Sequence, residues 1–127
     1  MGTGTQLGRV RGLGAAKSGT HHWWLQRVTA LSNFALLVWF VVSLVRLPVL
    51  DHPTVTAWIQ QPLTAVPLLL LIASVFWHLR LGVQVLIEDY VTNEGTKVLS
   101  LLALGFFALA LGFTAAFCVL KIAFGAV

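Results

Sequence analysis

Charged residues are scarce in this chain. Of 127 residues only 9% are Asp, Glu, Lys or Arg, and just four of these are acidic, while 58% are hydrophobic. Ordinary soluble domains carry about 25% charged residues, so the composition excludes that class. The sequence therefore predicts an integral membrane protein.

Cysteine is nearly absent as well. Cys118 is the single cysteine, and it lies deep in an apolar run near the C-terminal end. One cysteine excludes an internal disulfide framework, and it excludes an iron–sulfur cluster held by this chain alone. We expect Cys118 to serve in packing, as free cysteines in apolar surroundings usually do.

Long apolar runs dominate what is present. Three stretches contain no Asp, Glu, Lys or Arg: 28–45, 52–79 and 98–120. Each is long enough to cross about 30 Å of hydrocarbon at about 1.5 Å per residue. The fold predicted from them is an all-α membrane protein with three transmembrane helices, at approximately 24–46, 66–90 and 97–122.

The rest of the chain gives no sign of a second domain, so we expect one membrane-anchor domain over 1–127. The glycine- and arginine-rich segment 1–20 is expected to be irregular. It lacks the short apolar core and small-residue cleavage site of a signal peptide, so we expect it to stay in the mature chain. In the third apolar stretch, Ala108, Gly112 and Ala116 form a ridge of small residues that would let another helix approach closely, which favours assembly.

The basic residues predict the orientation. Two of them, Arg46 and Lys121, fall on one side of this topology. Six fall on the other side, before the first helix or near the connection between the second and third: Arg9, Arg11, Lys17, Arg27, Arg80 and Lys97. The excess marks the cytoplasmic side, so the N-terminus is expected in the cytoplasm. Topology and anionic lipid account for the net charge of +4, and no nucleic-acid partner is expected.

The most informative motif is FWHLRLGVQVLIEDY, which contains His78, Gly82, Asp89 and Tyr90. A histidine about halfway along an apolar helix needs a partner, and haem iron is one of the few that suits neutral imidazole in lipid. Eleven residues turn a helix by ~1100°, so His78 and Asp89 lie on one face, and Tyr90 lies ~18 Å from His78 along the axis. Gly82, one turn from His78, leaves that face open to a flat macrocycle.

A second motif, GTHHWWLQRVTA, lies just before the first apolar stretch. Trp23 and Trp24 are typical of an aromatic belt at the membrane interface. Arg27 at the foot of the helix could form a bidentate pair with an anion such as a haem propionate. These two interpretations are compatible.

Taken together, the two motifs resemble a known family, the small cytochrome b membrane-anchor subunit of succinate dehydrogenase, respiratory complex II. The resemblance rests on Gly-x-His with Arg six residues after His21, and on His78 followed by Gly82 and Asp-Tyr. It implies three helices with the N-terminus inside, packed with a second anchor subunit in the bacterial inner membrane.

The resemblance also implies roles for single residues. His78 would be an axial ligand of haem b, with Gly82 packing on the haem, and Arg27 and His21 would face the haem propionates. A second group lies at the end of the helix: Tyr90 would hydrogen-bond the carbonyl of ubiquinone, and Asp89 would support Tyr90 or deliver protons.

The implied partners carry the remaining chemistry of the complex. A flavoprotein subunit with FAD and an iron–sulfur subunit would oxidise succinate to fumarate, and the electrons would reach quinone beside this anchor. The chain would then be part of an enzyme without oxidising succinate itself.

A low-spin b haem normally takes two axial side chains, and of the four histidines only His78 lies inside a predicted span. His21 and His22 precede the first span, and His52 falls in the outer loop. We therefore expect a partner membrane subunit to supply the second ligand.

Other interpretations of the same residues stay open. A membrane histidine can be a hydrogen-bonded packing residue or part of a proton path, and Asp-Tyr can be a solvated helix end. The alternatives are a cofactor-free three-helix assembly or regulatory protein, and a small proton-coupled transporter using His78 and Asp89.

Overall fold

The structure is a computed structural model that describes residues 5–6 and 19–125. In that part of the chain it contains four helices: α1 (Gly19–Val45), α2 (His52–Ile59), α3 (Pro62–Tyr90) and α4 (Glu94–Ala123). Three of them, α1, α3 and α4, are long and apolar enough to cross a membrane. The prediction of an all-α membrane protein with three spans is confirmed.

All three spanning helices begin earlier than predicted. α1 begins at Gly19 rather than 24, α3 at Pro62 rather than 66, and α4 at Glu94 rather than 97. Hydropathy marks the part of a helix inside hydrocarbon, whereas capping groups set where the helix begins. Pro62 occupies the first turn of α3, and Asn93 Oδ1 accepts a hydrogen bond from the Thr96 amide, 3.1 Å away, at the start of α4.

The predicted irregular segment 1–20 lies mostly outside the described residues. Its last two residues, Gly19 and Thr20, are helical.

The expected outer loop contains a short helix that was not predicted from the sequence. Asp51 caps α2, because its Oδ1 accepts a hydrogen bond from the Thr54 amide at 2.9 Å. The ring of Trp58 stacks on Trp39 of α1 with 6.2 Å between centroids, and it lies 6.1 Å from the ring of Phe40. Aromatic contacts across the chain therefore hold this eight-residue helix at the end of the bundle.

The cap of α2 should respond to pH. The Thr54 hydrogen bonds lower the pKa of Asp51 below its ordinary value of 3.8, so the cap stabilises α2 above that value and is lost as the pH falls through the lowered pKa. We expect Asp51→Ala to reduce amide-exchange protection of α2, relative to intrinsic rates, at neutral pH, and the difference from the parent protein should disappear once the pH falls below the lowered pKa of Asp51. Asp51→Asn keeps a capping oxygen and should retain protection at low pH. Equal protection in all three proteins at neutral pH would show that Asp51 does not cap the helix.

α3 is the central helix of the bundle. It packs against α1 and against α4, whereas α1 and α4 do not contact each other within the described range. Nearly all of the buried residues there belong to α3: Thr64, Ala65, Leu68, Leu71 and Leu81, joined by Ala108 of α4. The outward faces of α1 and α4 are apolar and exposed, which suits contact with lipid or with other membrane subunits.

The ridge of small residues on α4 faces α3 of the same chain. Ala108 is only 6% exposed, and a Cβ atom at Gly112 would meet the Phe76 ring of α3 at 3.6 Å. The close approach predicted from these residues therefore occurs between α3 and α4 of this chain. The sequence pattern favours assembly with another subunit, but the structure uses these residues within one chain.

Candidate functional site

His78 lies in the middle of α3, and its side chain contacts a residue of α1. Its Nδ1 atom lies 3.0 Å from the Thr29 hydroxyl oxygen. The Thr29 hydroxyl also lies 2.6 Å from the Leu25 carbonyl oxygen and 3.2 Å from that of Gln26. One turn before His78, the Ser74 hydroxyl donates to the Thr29 carbonyl oxygen at 3.3 Å. Polar contacts thus connect α1 and α3 at the depth of the histidine.

A cavity of about 480 Å³ lies between the first turns of α1 and the last part of α3, and neither Thr29 nor His78 is among the residues that line it. Its walls are formed by Gly19, His22, Trp23, Gln26, Gly82, Val85 and Leu86. A Cβ atom added at Gly82 would have the Gln26 amide nitrogen, at 4.0 Å, as its nearest neighbour. A methyl group at Gly82 would therefore make no contact with this chain closer than 4.0 Å.

Two polar atoms of this cavity's residues are buried without a hydrogen-bond partner, His22 Nε2 and Gln26 Oε1. A third such atom, Asn33 Oδ1, lies further along α1. Leaving a buried polar group unpaired costs roughly 1–3 kcal/mol, so such atoms usually have a partner in the assembled protein. A water, a ligand or another subunit would supply such partners.

Arg27 and His21 are both exposed at the N-terminal end of α1. The guanidinium of Arg27 lies over the ring of Trp23, 5.3 Å from its centroid, in a cation–π contact. Neither residue lines the cavity beside Gly82. Both are available to a group bound on the outer surface of this chain.

Asp89 and Tyr90 are the last two residues of α3, and both are exposed. Tyr90 is 80% exposed, with its ring outside the bundle. Because Thr29 contacts His78 and Gln26 approaches Gly82, α1 and α3 run antiparallel, so Tyr90 shares one end of the bundle with the start of α1. Asp89, Tyr90 and His21 therefore lie at the same end of the bundle, and Arg27 lies about two turns further along α1.

Arg80 lies on the other side of α3 from Gly82. Its guanidinium is 5.4 Å from the centroid of the Trp77 ring, and it lines a groove of about 290 Å³ between α3 and α4. This groove is apolar apart from Arg80. The cation–π contact offsets part of the cost of placing a cation within a spanning helix.

Among residues 5–6 and 19–125, no group of three His, Cys, Asp or Glu side chains could hold a metal ion. A haem iron needs only axial ligands from protein, since the porphyrin supplies the other four. His78 is thus the residue in this site suited to ligate such a group.

Four residues of the site were not predicted from the sequence: Thr29, His22, Gln26 and Ser74. A signal for three of them was present, because His22, Gln26 and Thr29 are polar residues spaced by four and three along the first helix. That spacing puts them on one face, and polar residues on one face of a membrane helix usually face its partner.

The described residues define a class of protein: a small membrane protein of three spans, with one mid-span histidine that contacts the neighbouring helix. Over residues 1–117 the sequence matches the family described as succinate dehydrogenase/fumarate reductase transmembrane subunit. The chain belongs to this family, and it is a multi-pass protein of the inner membrane.

Individual relatives agree with this assignment. A succinate dehydrogenase hydrophobic membrane anchor subunit of Rickettsia bellii is 29% identical over 104 residues, covering 82% of this chain and 83% of the relative. A succinate dehydrogenase membrane anchor subunit of Reclinomonas americana is 33% identical over 88 residues, covering 67% and 73%. The corresponding subunit of Coxiella burnetii is 27% identical over 103 residues, covering 77% and 90%. No solved structure gives a significant match.

Proposed function

We propose that this chain is the anchor subunit that holds haem b together with a second membrane subunit, helps to form the ubiquinone site, and anchors the flavoprotein and iron–sulfur subunits of succinate:ubiquinone oxidoreductase. The observation that carries the proposal is His78 at mid-span, one turn from Gly82, which lines a cavity with unpartnered polar atoms. Family membership supports the same assignment.

The residues present fit a haem. His78 would bind the iron, and Gly82 would leave room for the flat macrocycle. Arg27 and His21, which are exposed outside the cavity, would pair with propionates that extend to the surface of this chain. His22 Nε2 and Gln26 Oε1, which are buried and unpaired, would gain partners at the edge of such a group or from a water beside it. When bound, haem supplies a one-electron centre in the middle of the membrane.

The proposed haem is shared between two chains. His78 is the mid-span histidine of this chain, because His21 and His22 lie in the first turn of α1 and His52 begins α2 at the opposite end. A partner subunit would therefore supply the second axial ligand and cover the face that carries His78 and Gly82.

The quinone chemistry is proposed for the end of α3. Quinone reduction takes up two electrons and two protons, so the site needs a hydrogen-bond donor to a carbonyl oxygen and a route for protons from water. Tyr90 carries the donor, and Asp89 would support Tyr90 or deliver protons from solvent. Both are exposed at the end of the bundle that also carries His21.

The proposed partners follow from the family to which the chain belongs. One cysteine cannot bind a cluster, so FAD and the iron–sulfur clusters belong to partner subunits. We place these subunits at the cytoplasmic surface, where Tyr90 would lie if the basic residues set the topology. This chain then contributes anchoring, orientation and proton transfer, without oxidising succinate.

Enlarging Gly82 should weaken haem binding. A leucine there would project into the open space beside His78, and overpacking typically costs about 1–3 kcal/mol, so we expect the affinity for haem to fall about tenfold. Gly82→Ala should have a smaller effect than Gly82→Leu, since its added methyl carbon is smaller and would lie 4.0 Å from the nearest atom of this chain. Gly105→Leu on α4 is the control, because no atom lies within 4 Å of a Cβ atom there. Full haem content in Gly82→Leu complexes would exclude Gly82 from the haem face.

Co-purification tests the proposed function as a whole. The tagged chain, expressed with its neighbouring subunits, should bring with it a flavoprotein, an iron–sulfur protein and a second membrane subunit, and the preparation should contain b haem and reduce ubiquinone with succinate. Isolation without these partners would favour a cofactor-free membrane protein. Proton flux in vesicles containing the chain alone would favour a transporter.

A further inference from the structure

The Thr29 hydroxyl has one proton and three nearby atoms that could receive it. The Leu25 carbonyl oxygen lies 2.6 Å away, the Gln26 carbonyl oxygen 3.2 Å, and His78 Nδ1 3.0 Å. If the proton pointed to His78, two oxygen atoms would face each other at 2.6 Å with no hydrogen between them. In a low-dielectric membrane span that repulsion is strong. The proton therefore goes to the Leu25 carbonyl.

The hydroxyl must then accept a hydrogen bond from His78, so Nδ1 of the ring carries the hydrogen. A neutral imidazole has one protonated and one free nitrogen, and Nε2 is consequently left with a free lone pair. Metal-bound histidines almost always donate the hydrogen of their other ring nitrogen in this way. No other hydrogen-bond partner of His78 is present among residues 19–125.

We infer that Thr29 is a positioning residue: it holds His78 in the tautomer whose Nε2 is free to bind iron and fixes the orientation of the ring. The inference rests on the proposed haem function and adds to it a residue of a different helix. Ser74 supports Thr29 by donating to its carbonyl oxygen at 3.3 Å. The docking of α1 on α3 thus prepares the ligand before a haem arrives.

This arrangement has a measurable electronic consequence. A hydrogen bond from Nδ1–H to an oxygen raises the basicity of the ring and strengthens it as an iron ligand. Loss of the acceptor should weaken haem binding and raise the reduction potential of the haem. A residue that served only in packing would change stability without moving the potential.

The test compares Thr29→Val and Thr29→Ser in the complete, co-expressed complex. Valine has the shape of threonine without the oxygen, whereas serine keeps it. Thr114→Val is the matched control, because the Thr114 hydroxyl makes the same bond to a carbonyl four residues earlier, at 2.7 Å, on an exposed part of α4 with no histidine. The readouts are haem per flavin, the electron paramagnetic resonance spectrum of the low-spin haem, and its reduction potential.

We expect Thr29→Val to bind haem about tenfold to a hundredfold more weakly, as changes to such hydrogen-bond partners typically do, with a raised reduction potential. Thr29→Ser and Thr114→Val should match the parent complex. If the valine variant does not assemble, Thr29→Ala removes the same oxygen without the branched side chain and should show the same shift.

Unaltered haem content, spectrum and potential in Thr29→Val or Thr29→Ala would overturn the inference. The failure of the proposed function is a different result: the parent complex would then contain no haem, or His78→Ala would retain it. The two failures are therefore distinguishable.

Discussion

Replacing His78 by alanine should remove the low-spin haem from a complex that still assembles its soluble subunits. The expected loss is nearly complete, because an iron with one protein ligand missing changes spin state and loses the bond that fixes it in the bundle. His78 is half-buried on the central helix, so the smaller side chain leaves the outer packing faces unchanged. The measurement is haem per flavin with the reduced-minus-oxidised spectrum.

His52→Ala is the control for this experiment. His52 is exposed in the first turn of α2, at the opposite end of the bundle from Tyr90, so its loss should leave the spectrum unchanged. A parent-like low-spin spectrum in His78→Ala would show that the iron is bound by residues other than His78.

The second large effect is expected for Tyr90→Phe. The ring is exposed at the end of α3, so removing its hydroxyl costs no packing and should preserve assembly, haem and succinate oxidation by a soluble dye. Quinone reduction should fall about tenfold to a hundredfold, since one hydrogen bond to a group developing charge is worth roughly 1.5–3 kcal/mol when it is made in the transition state. The measurement is the ratio of quinone-dependent to dye-dependent succinate oxidation.

Substitutions of the two acidic residues just before Tyr90 provide the comparison for Tyr90→Phe. Asp89→Asn should lower the same ratio, because the amide cannot transfer protons. Glu88→Gln should leave it unchanged, since Glu88 accepts a hydrogen bond from Gln84 at 2.9 Å and has no role in the proposed site. An unchanged ratio in Tyr90→Phe would make Tyr90 an ordinary interfacial aromatic and move the quinone site elsewhere.

The spans could be predicted because their signal is local. A run without charge must be long enough to cross the hydrocarbon, and α1, α3 and α4 all meet that condition. The short helix α2 was missed although Asp51 and Pro53 are typical of a helix start. Its stability depends on Trp58 stacking on Trp39, a contact between residues far apart in the sequence.

The motif around His78 was predictable for a similar reason. Gly82, Asp89 and Tyr90 are related to His78 by helical geometry alone, and the structure keeps them on one continuous helix. Thr29 is separated from His78 by 49 residues, so only the docking of α1 on α3 brings its hydroxyl to 3.0 Å from the ring. The spacing of residues within one helix does not show how that helix aligns with the helix packed against it.

The small residues of α4 show a further limit. A four-residue spacing of Ala and Gly predicts that some helix will pack closely, but it does not identify the helix. In the structure that helix is α3, through Phe76 against Gly112.

We propose that this chain supplies one axial ligand of a haem shared with another membrane subunit. The most direct test is the haem stoichiometry and electron paramagnetic resonance spectrum of the purified complex, compared with the chain expressed alone. We expect one low-spin b haem per copy of this chain in the complex and no low-spin haem in the isolated chain. A low-spin haem bound to the isolated chain, with both axial ligands from this polypeptide, would contradict it.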